Sequence, residues 1–384
     1  MPKRHPLDAV IVGAGVVGAA CAYYAGRSGL GVAVVDRGPV ACGTTGAGEG
    51  HLLVSDKEPG PELDLALLST RLWRDLAHVL PPETEYERRG GLVVAPDEAA
   101  LAALRAFAAR QREAGVDARE ITPDRMYDLE PYLAPDLAGA VHYPQDAQVD
   151  PVRAAAQLLR AARHFGAEIR LGEEAREILL APDGRVRGVR TAQGDLLAPA
   201  VVNAAGIRGG EVAELAGATL PVRPGHGFLL VTEPLPRVVR QRVYGADREG
   251  GSAAIEATAS GQILIGAARG RAGGERPLSA EGLHRLSGRA AALFPFLAGV
   301  RTIRTYRGSW PCLPDRLPAI GPDPRVPGLL HACGHQDAGI GLAPGTGLLI
   351  ASALRGQRPA LDLRPFRPDR FARVDAEGLP ASVS

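Results

Sequence analysis

Asp8 to Val12 is a short apolar run, apolar residues then recur at helical spacing from Gly15 to Gly29, and Gly31 to Val35 is apolar again, closed by Asp36. Strand, glycine turn, helix and strand predict a βαβ unit with a parallel pair. Gly38 to Gly50 is rich in glycine and threonine and reads as loop. Helical periodicity returns over 62–80 and 97–114, with a strand at Leu92–Ala95 between them. Asp150 and Pro151 supply the cap and first-turn proline of a helix to about Phe165. Strands are expected near 167–171, 175–180, 185–192 and 196–202, parted by the turns Pro182-Asp183-Gly184 and Gln193-Gly194-Asp195. Strand-like alternation fills about 220–266, and a helix follows near 279–294. Strands near 300–308 and 328–332 and an apolar helix near 345–355 complete the pattern, and the tail after Arg373 reads as loose.

This order predicts an α/β fold with a discontinuous, Rossmann-type nucleotide-binding domain and a second, mainly antiparallel-sheet domain. The first takes 1–60, 150–218 and 311–360, the second takes 61–149 and 219–310, and 361–384 is a C-terminal tail.

Composition narrows the classes. The chain has 384 residues, 46% hydrophobic and 23% charged, which excludes a disordered protein. A net charge of +1 gives no field to gather nucleic acid or an acidic membrane, so neither is an expected partner. Cys21, Cys42, Cys312 and Cys333 form no CxxC and no zinc-spaced cluster with histidine, so no metal is expected. Scattered thiols in a chain this long point to a reducing cytoplasm. Lys3 and Arg4 precede an apolar run, as in a targeting segment, but Gly13, Gly15 and Gly18 interrupt it, and no integral membrane segment is expected.

Those glycines carry the first chemistry. Gly13-Ala14-Gly15-Val16-Val17-Gly18 lies between a strand and a helix, where a dinucleotide fingerprint belongs. Gly13 permits the turn, Gly15 clears the way for a pyrophosphate, and Gly18 lets helix and strand pack closely. The helix N-terminus offers free N–H groups to phosphate. Asp36 is placed to accept from ribose hydroxyls and favours an unphosphorylated ribose, although the adjacent Arg37 could meet a 2′-phosphate. The fingerprint alone leaves FAD and NAD open, so an NAD-dependent dehydrogenase is one reading.

Four further segments separate the two. Val201-Val202-Asn203-Ala204-Ala205-Gly206, Pro221-Val222-Arg223-Pro224, Leu313 to Gly321 (LPDRLPAIG) and Leu329 to Gly345 (LLHACGHQDAGIGLAPG) stand in that order. They resemble motifs of the FAD-dependent amino acid oxidase superfamily, which includes D-amino acid oxidase, glycine oxidase, sarcosine oxidase and D-amino acid dehydrogenases. The resemblance spans about 8–356. It implies that Gly13, Gly15, Val17 and Gly18 line the FAD pyrophosphate, with Asp36 and Arg37 on the adenosine side. Thr44, Thr45, Gly46, Gly48, Glu49 and Gly50 would follow the ribityl chain, and the Ala175 backbone would meet adenine. Ala205 and Gly206 would close over the cofactor. Gly334, Gly339, Ile340, Gly341 and Leu342 would pass the flavin pyrimidine edge, where a helix N-terminus can stabilise the anionic reduced flavin. Monomeric sarcosine oxidases attach flavin through a cysteine whose place falls on Gly308 here, so the FAD is expected to be non-covalent.

The substrate side departs from the family. Glycine oxidase-like members hold the substrate carboxylate with an arginine whose place is taken by Trp310, and a second arginine position falls on Asp337. Arg307 is the nearest replacement, since a guanidinium fork suits a carboxylate. His51, directly after the flavin loop, matches an active-site histidine of some D-amino acid dehydrogenases and could move the amine proton. His335 matches a common family position, and Tyr244 lies in the substrate sheet. The resemblance implies oxidation of the C–N bond of a small amino or imino acid: a D-amino acid, glycine or sarcosine, or a proline or hydroxyproline. Hydride would pass to flavin N5, with oxygen, a quinone or a partner subunit as electron acceptor. A flavoprotein subunit of a heteromeric dehydrogenase is the alternative within this class.

Overall fold

The computed structural model describes residues 6–246, 252–266 and 280–371. The expectation for the tail beyond Arg373 lies outside the described residues.

Ala9–Val12 and Val32–Asp36 are wholly or almost wholly buried, as strands covered on both faces must be. They sit in a six-stranded sheet ordered Ala319–Pro322, Leu329–Cys333, Val201–Asn203, Ala9–Val12, Val32–Asp36, Glu168–Leu171. Every pairing is parallel except the edge pair Ala319–Pro322 with Leu329–Cys333. Three separated stretches of chain therefore build one Rossmann-type sheet, and the predicted fold class is borne out. Against it pack Val16–Arg27, Pro151–His164 and Gly339–Leu354. Pro151–His164 starts at the predicted cap: the Asp150 carboxylate accepts from the Arg153 N–H at 2.8 Å.

The second sheet has eight strands, ordered Thr302–Cys312, Arg223–Thr232, Ile263–Gly266, Ser252–Ala257, Arg242–Ala246, Gly91–Ala95, Gly139–Tyr143, Arg119–Ile121. Its pairings are antiparallel except that of Arg242–Ala246 with Gly91–Ala95. The helix Ala280–Leu293 packs on it over a core that includes Ile255, Ile265 and Phe294.

Two local expectations are corrected. The strand expected over 196–202 is two strands: Gly194–Leu197 joins a three-stranded antiparallel sheet, and Val201–Asn203 joins the six-stranded one. The last helix starts at Gly339, not near 345, and runs through Pro344. With its preceding turn, Gln336–Leu354 is 19 residues long and apolar enough to cross a membrane, which the sequence reading did not expect. Here it is a core helix, packed between Val16–Arg27 and Pro61–Leu76.

Candidate active site

A cavity of about 1210 Å³ runs from Asp36, Arg37 and Ala175, past the first helix N-terminus, to Tyr244, Trp310 and Asp337 in the second sheet and the turn before the last helix. That exceeds the roughly 300–1,000 Å³ of a small-ligand pocket and leaves room for a dinucleotide and a small second molecule.

The glycines at its first end divide into two kinds. Gly13 has φ +119°, and a Cβ there would lie 2.3 Å from the Ala204 carbonyl oxygen, so this turn admits no side chain. A Cβ on Gly18 would lie 1.9 Å from the Gly13 carbonyl oxygen, which is the expected helix–strand packing. At Gly15, by contrast, a Cβ would meet only the Thr45 hydroxyl, at 3.1 Å, and at Gly206 nothing within 4 Å. Those two positions leave the backbone open to a ligand. Thr45 Oγ1 accepts from the Val16 N–H at 3.1 Å, which fixes the loop from Thr44 to Gly50 to the helix N-terminus. Thr44 Oγ1 is buried without a hydrogen-bond partner. Asp36 accepts from the Ala14 N–H at 2.7 Å and from the Gly38 N–H at 2.8 Å, so it also braces the turn. An open glycine cradle, an orphaned hydroxyl and a terminal carboxylate fit the pyrophosphate and ribose of FAD.

Of the expected cofactor residues, Gly13, Gly15, Val17, Asp36, Arg37, Thr44, Thr45, Gly48, Glu49, Ala175, Ala205, Gly206, Gly339, Ile340 and Gly341 line the cavity. Gly18, Gly46, Gly50, Gly334 and Leu342 do not. Their task is packing: a Cβ on Gly50 would stand 1.7 Å from the Val149 carbonyl oxygen, and one on Gly334 would stand 2.3 Å from Leu313. Gly308 also admits no side chain cheaply, because a Cβ would lie 2.9 Å from the Ala47 carbonyl oxygen. Cys312 is buried and outside the cavity wall, and burial raises its thiol pKa.

The last helix points its N-terminal residues Gly339, Ile340 and Gly341 at the cavity. His335, just before it, is buried, and burial lowers its pKa to about 3, so the ring is neutral. Thr346 donates to the Leu342 carbonyl at 2.9 Å, which leaves its oxygen to accept from His335 Nε2 at 2.9 Å. His335 thus sits in the wall as a fixed, uncharged ring.

The other end of the cavity gathers charge. His51 Nε2 stands 2.6 Å from Glu256 Oε2, and His51 Nδ1 stands 3.3 Å from Glu49 Oε2. Glu49 comes from the loop before the short strand His51–Leu52, His51 from that strand, and Glu256 from the second sheet. A Cβ on Gly266 would lie 2.4 Å from Glu49 Oε1, so this glycine makes room for the carboxylate. Burial raises the pKa of Glu49 against the lowering effect of His51, and the nearby Glu256 adds to the rise. Burial would also raise Glu256, but His51 and then Arg242 outweigh it and hold Glu256 below its ordinary value.

Arg242 lines the same end, buried to 9% exposure, with its guanidinium 6.0 Å from the centre of the Tyr244 ring. Its Nε is buried and has no hydrogen-bond partner among the described residues. Arg307, the cation expected from the sequence, is exposed and does not line the cavity. The wall takes Gly308, Ser309 and Trp310 from that strand instead. Tyr244, His51 and His335 do line it. The Trp310 indole lies across the neighbouring strand: a Cβ on Gly225 would meet its Nε1 at 2.3 Å, and one on Gly227 its outer ring carbons at 2.7 and 2.8 Å. Sequence reasoning missed Arg242 and Glu256, and neither sits in a motif that could have announced it.

The profile of the FAD dependent oxidoreductase family matches residues 8–353. Glycine oxidase of Geobacillus kaustophilus (strain HTA426) is 31% identical over 94% of this chain and 96% of its own. The crystal structure of glycine oxidase from Geobacillus kaustophilus superposes with a TM-score of 0.84 at 30% identity, covering 95% of this chain and 99% of that one. The hydrogen cyanide synthase subunit HcnC of Pseudomonas aeruginosa is 29% identical over 95% of this chain and 96% of its own. The chain belongs to the FAD dependent oxidoreductase family.

Proposed function

We propose that this FAD-dependent oxidoreductase oxidises the C–N bond of a small zwitterionic amino or imino acid. The observation that carries this reading is the pairing of opposite charges in one cavity. Arg242 offers a buried cation with an unsatisfied N–H, and Glu49 offers a buried acid with an unsatisfied oxygen. One ligand carrying both a carboxylate and an amine answers both groups at once. Arg242 takes the carboxylate, the acid cluster faces the amine, and Trp310 and Tyr244 supply faces for an apolar ring or N-substituent. That favours proline-like and N-methylated substrates over glycine. Bound FAD supplies the two-electron oxidant. The chain's own part is to orient the substrate, exclude water and manage the amine proton.

The test is anaerobic bleaching of the flavin by D- and L-proline, hydroxyproline, sarcosine, glycine and D-alanine. The expected result is fastest bleaching by an imino acid or a secondary amine, and bleaching by none of the panel would overturn the reading. Oxygen uptake compared with dye reduction then identifies the acceptor. Rapid dye reduction without oxygen uptake favours a quinone or a partner subunit, in line with a relative that is itself a subunit.

A further inference from the structure

The cluster at Glu49, His51 and Glu256 does more than add negative charge. His51 has a carboxylate at each ring nitrogen, at 3.3 Å from Nδ1 and 2.6 Å from Nε2. The two carboxylates bracket the ring and hold it between them. Glu49 stands in the cavity wall with its side chain 17% exposed, and its Oε1 has no hydrogen-bond partner among the described residues. Gly266 leaves space for that carboxylate where any side chain would collide with it.

We propose that Glu49 is the catalytic residue that binds the substrate's ammonium group and accepts its proton, and that His51 and Glu256 are positioning residues that fix its carboxylate. This rests on the amino acid reading above. An ammonium nitrogen has no lone pair to form a C=N bond, so one proton must leave first. The N–H bond breaks, its electron pair stays on nitrogen, and the proton joins the Glu49 carboxylate. Bound FAD would supply the oxidant that takes the α-hydrogen with both electrons, the nitrogen lone pair would close the C=N bond, and the iminium product would leave. The proton on Glu49 returns to solvent afterwards.

Several groups set the protonation of Glu49. His51 and Glu256 stand on one side, with Arg242 and Tyr244 from the adjoining strand, Tyr306 from Thr302–Cys312 and Asp337 from the turn before the last helix. Burial dominates and favours the protonated acid. Binding of an ammonium group therefore becomes tighter as pH rises through the titration of Glu49.

The experiment uses the FAD-loaded enzyme and its Glu49→Gln variant. 2-Aminoisobutyrate keeps the ammonium and the carboxylate but has no α-hydrogen, so its binding can be followed by calorimetry without turnover. The expected result is a dissociation constant that falls with rising pH in the parent and is weaker and independent of pH in E49Q. Anaerobic flavin reduction by the best substrate of the panel should fall about 10²–10⁴-fold in E49Q at pH 7. It should recover to within about tenfold near pH 10, where the free amine is abundant and needs no acceptor. His51→Asn and Glu256→Gln should move the pH midpoint of both measurements by a smaller amount. Unaltered pH dependence of binding in E49Q, or a rate loss that persists at pH 10, overturns the proposal and leaves the substrate reading standing. A parent enzyme that neither binds 2-aminoisobutyrate nor is reduced by any panel member overturns both.

Discussion

Arg242 shows how one side chain can decide substrate class. It is buried, and its Nε has no hydrogen-bond partner among the described residues. Arg242→Met keeps the apolar stem and removes the charge. We expect KM for amino acid substrates to rise about 100-fold, in line with the ~3 kcal/mol for removing one member of a buried charge pair. The flavin absorbance per mole of protein should stay unchanged. Arg242→Lys should recover little, because an ammonium cannot reproduce the bidentate fork. A large loss of kcat at unchanged KM would remove Arg242 from the carboxylate site. The turn around Gly13, Gly15, Gly18 and Asp36 was legible, because these residues act within one local βαβ unit. The substrate end was not. His51 meets Glu256 only because the strand His51–Leu52 is laid against a distant sheet, and no spacing in the sequence encodes that contact.

The last helix shows the same limit among elements. The apolar pattern places the start of this helix near 345, just after Pro344. The structure runs the helix through the proline because a second helix, Pro61–Leu76, repairs the damage. Proline cannot donate to the carbonyl four residues back, and the freed Ile340 carbonyl accepts from Trp73 Nε1 at 3.1 Å. The same indole N–H reaches the Gly341 carbonyl at 3.2 Å, and Ser69 Oγ accepts from the Gly345 N–H at 3.2 Å. Trp73→Phe keeps the ring and leaves both carbonyls short of a donor. It should cost about 1–3 kcal/mol by urea denaturation and weaken FAD retention, because the affected turn faces the cavity. An unchanged midpoint would show that water takes over the carbonyls. Gly347 tests the opposite face: a Cβ there would lie 2.6 Å from the Ala20 backbone in the fingerprint helix. Gly347→Ala must therefore separate two core helices. It should lower stability by about 1–3 kcal/mol and reduce the flavin content of the purified protein. Full stability with full flavin content would mean that the helices slide apart freely.

Across the whole molecule, two buried groups in different halves oppose one another as pH changes. His335 beside the cavity has a pKa lowered by burial from 6.5 to about 3. Between those values the unfolded chain holds a proton that the folded chain lacks, so this group's stabilisation is lost as pH falls from 6.5 to about 3. Glu130 lies at 0% exposure and accepts from the backbone N–H groups of Arg240, at 2.7 Å, and Gln241. Burial outweighs those two donors and raises its pKa from 4.5 to about 7. Here the folded chain holds the extra proton, so stability is lost as pH rises from 4.5 to about 7. Each slope is about 1.4 kcal/mol per pH unit, and in the overlap they cancel. The parent should therefore show almost no pH dependence from these groups between 4.5 and 6.5, although both are strongly perturbed. Single variants uncover the two arms. Relative to the parent, Glu130→Gln should gain stability with rising pH over its window, and His335→Gln should lose it over the overlap. Urea denaturation at half-unit intervals of pH measures both differences, and any uniform cost of the substitution drops out of the slope. Difference curves that run flat, or that slope in the same direction, would show that one of the two groups keeps its ordinary pKa in the fold.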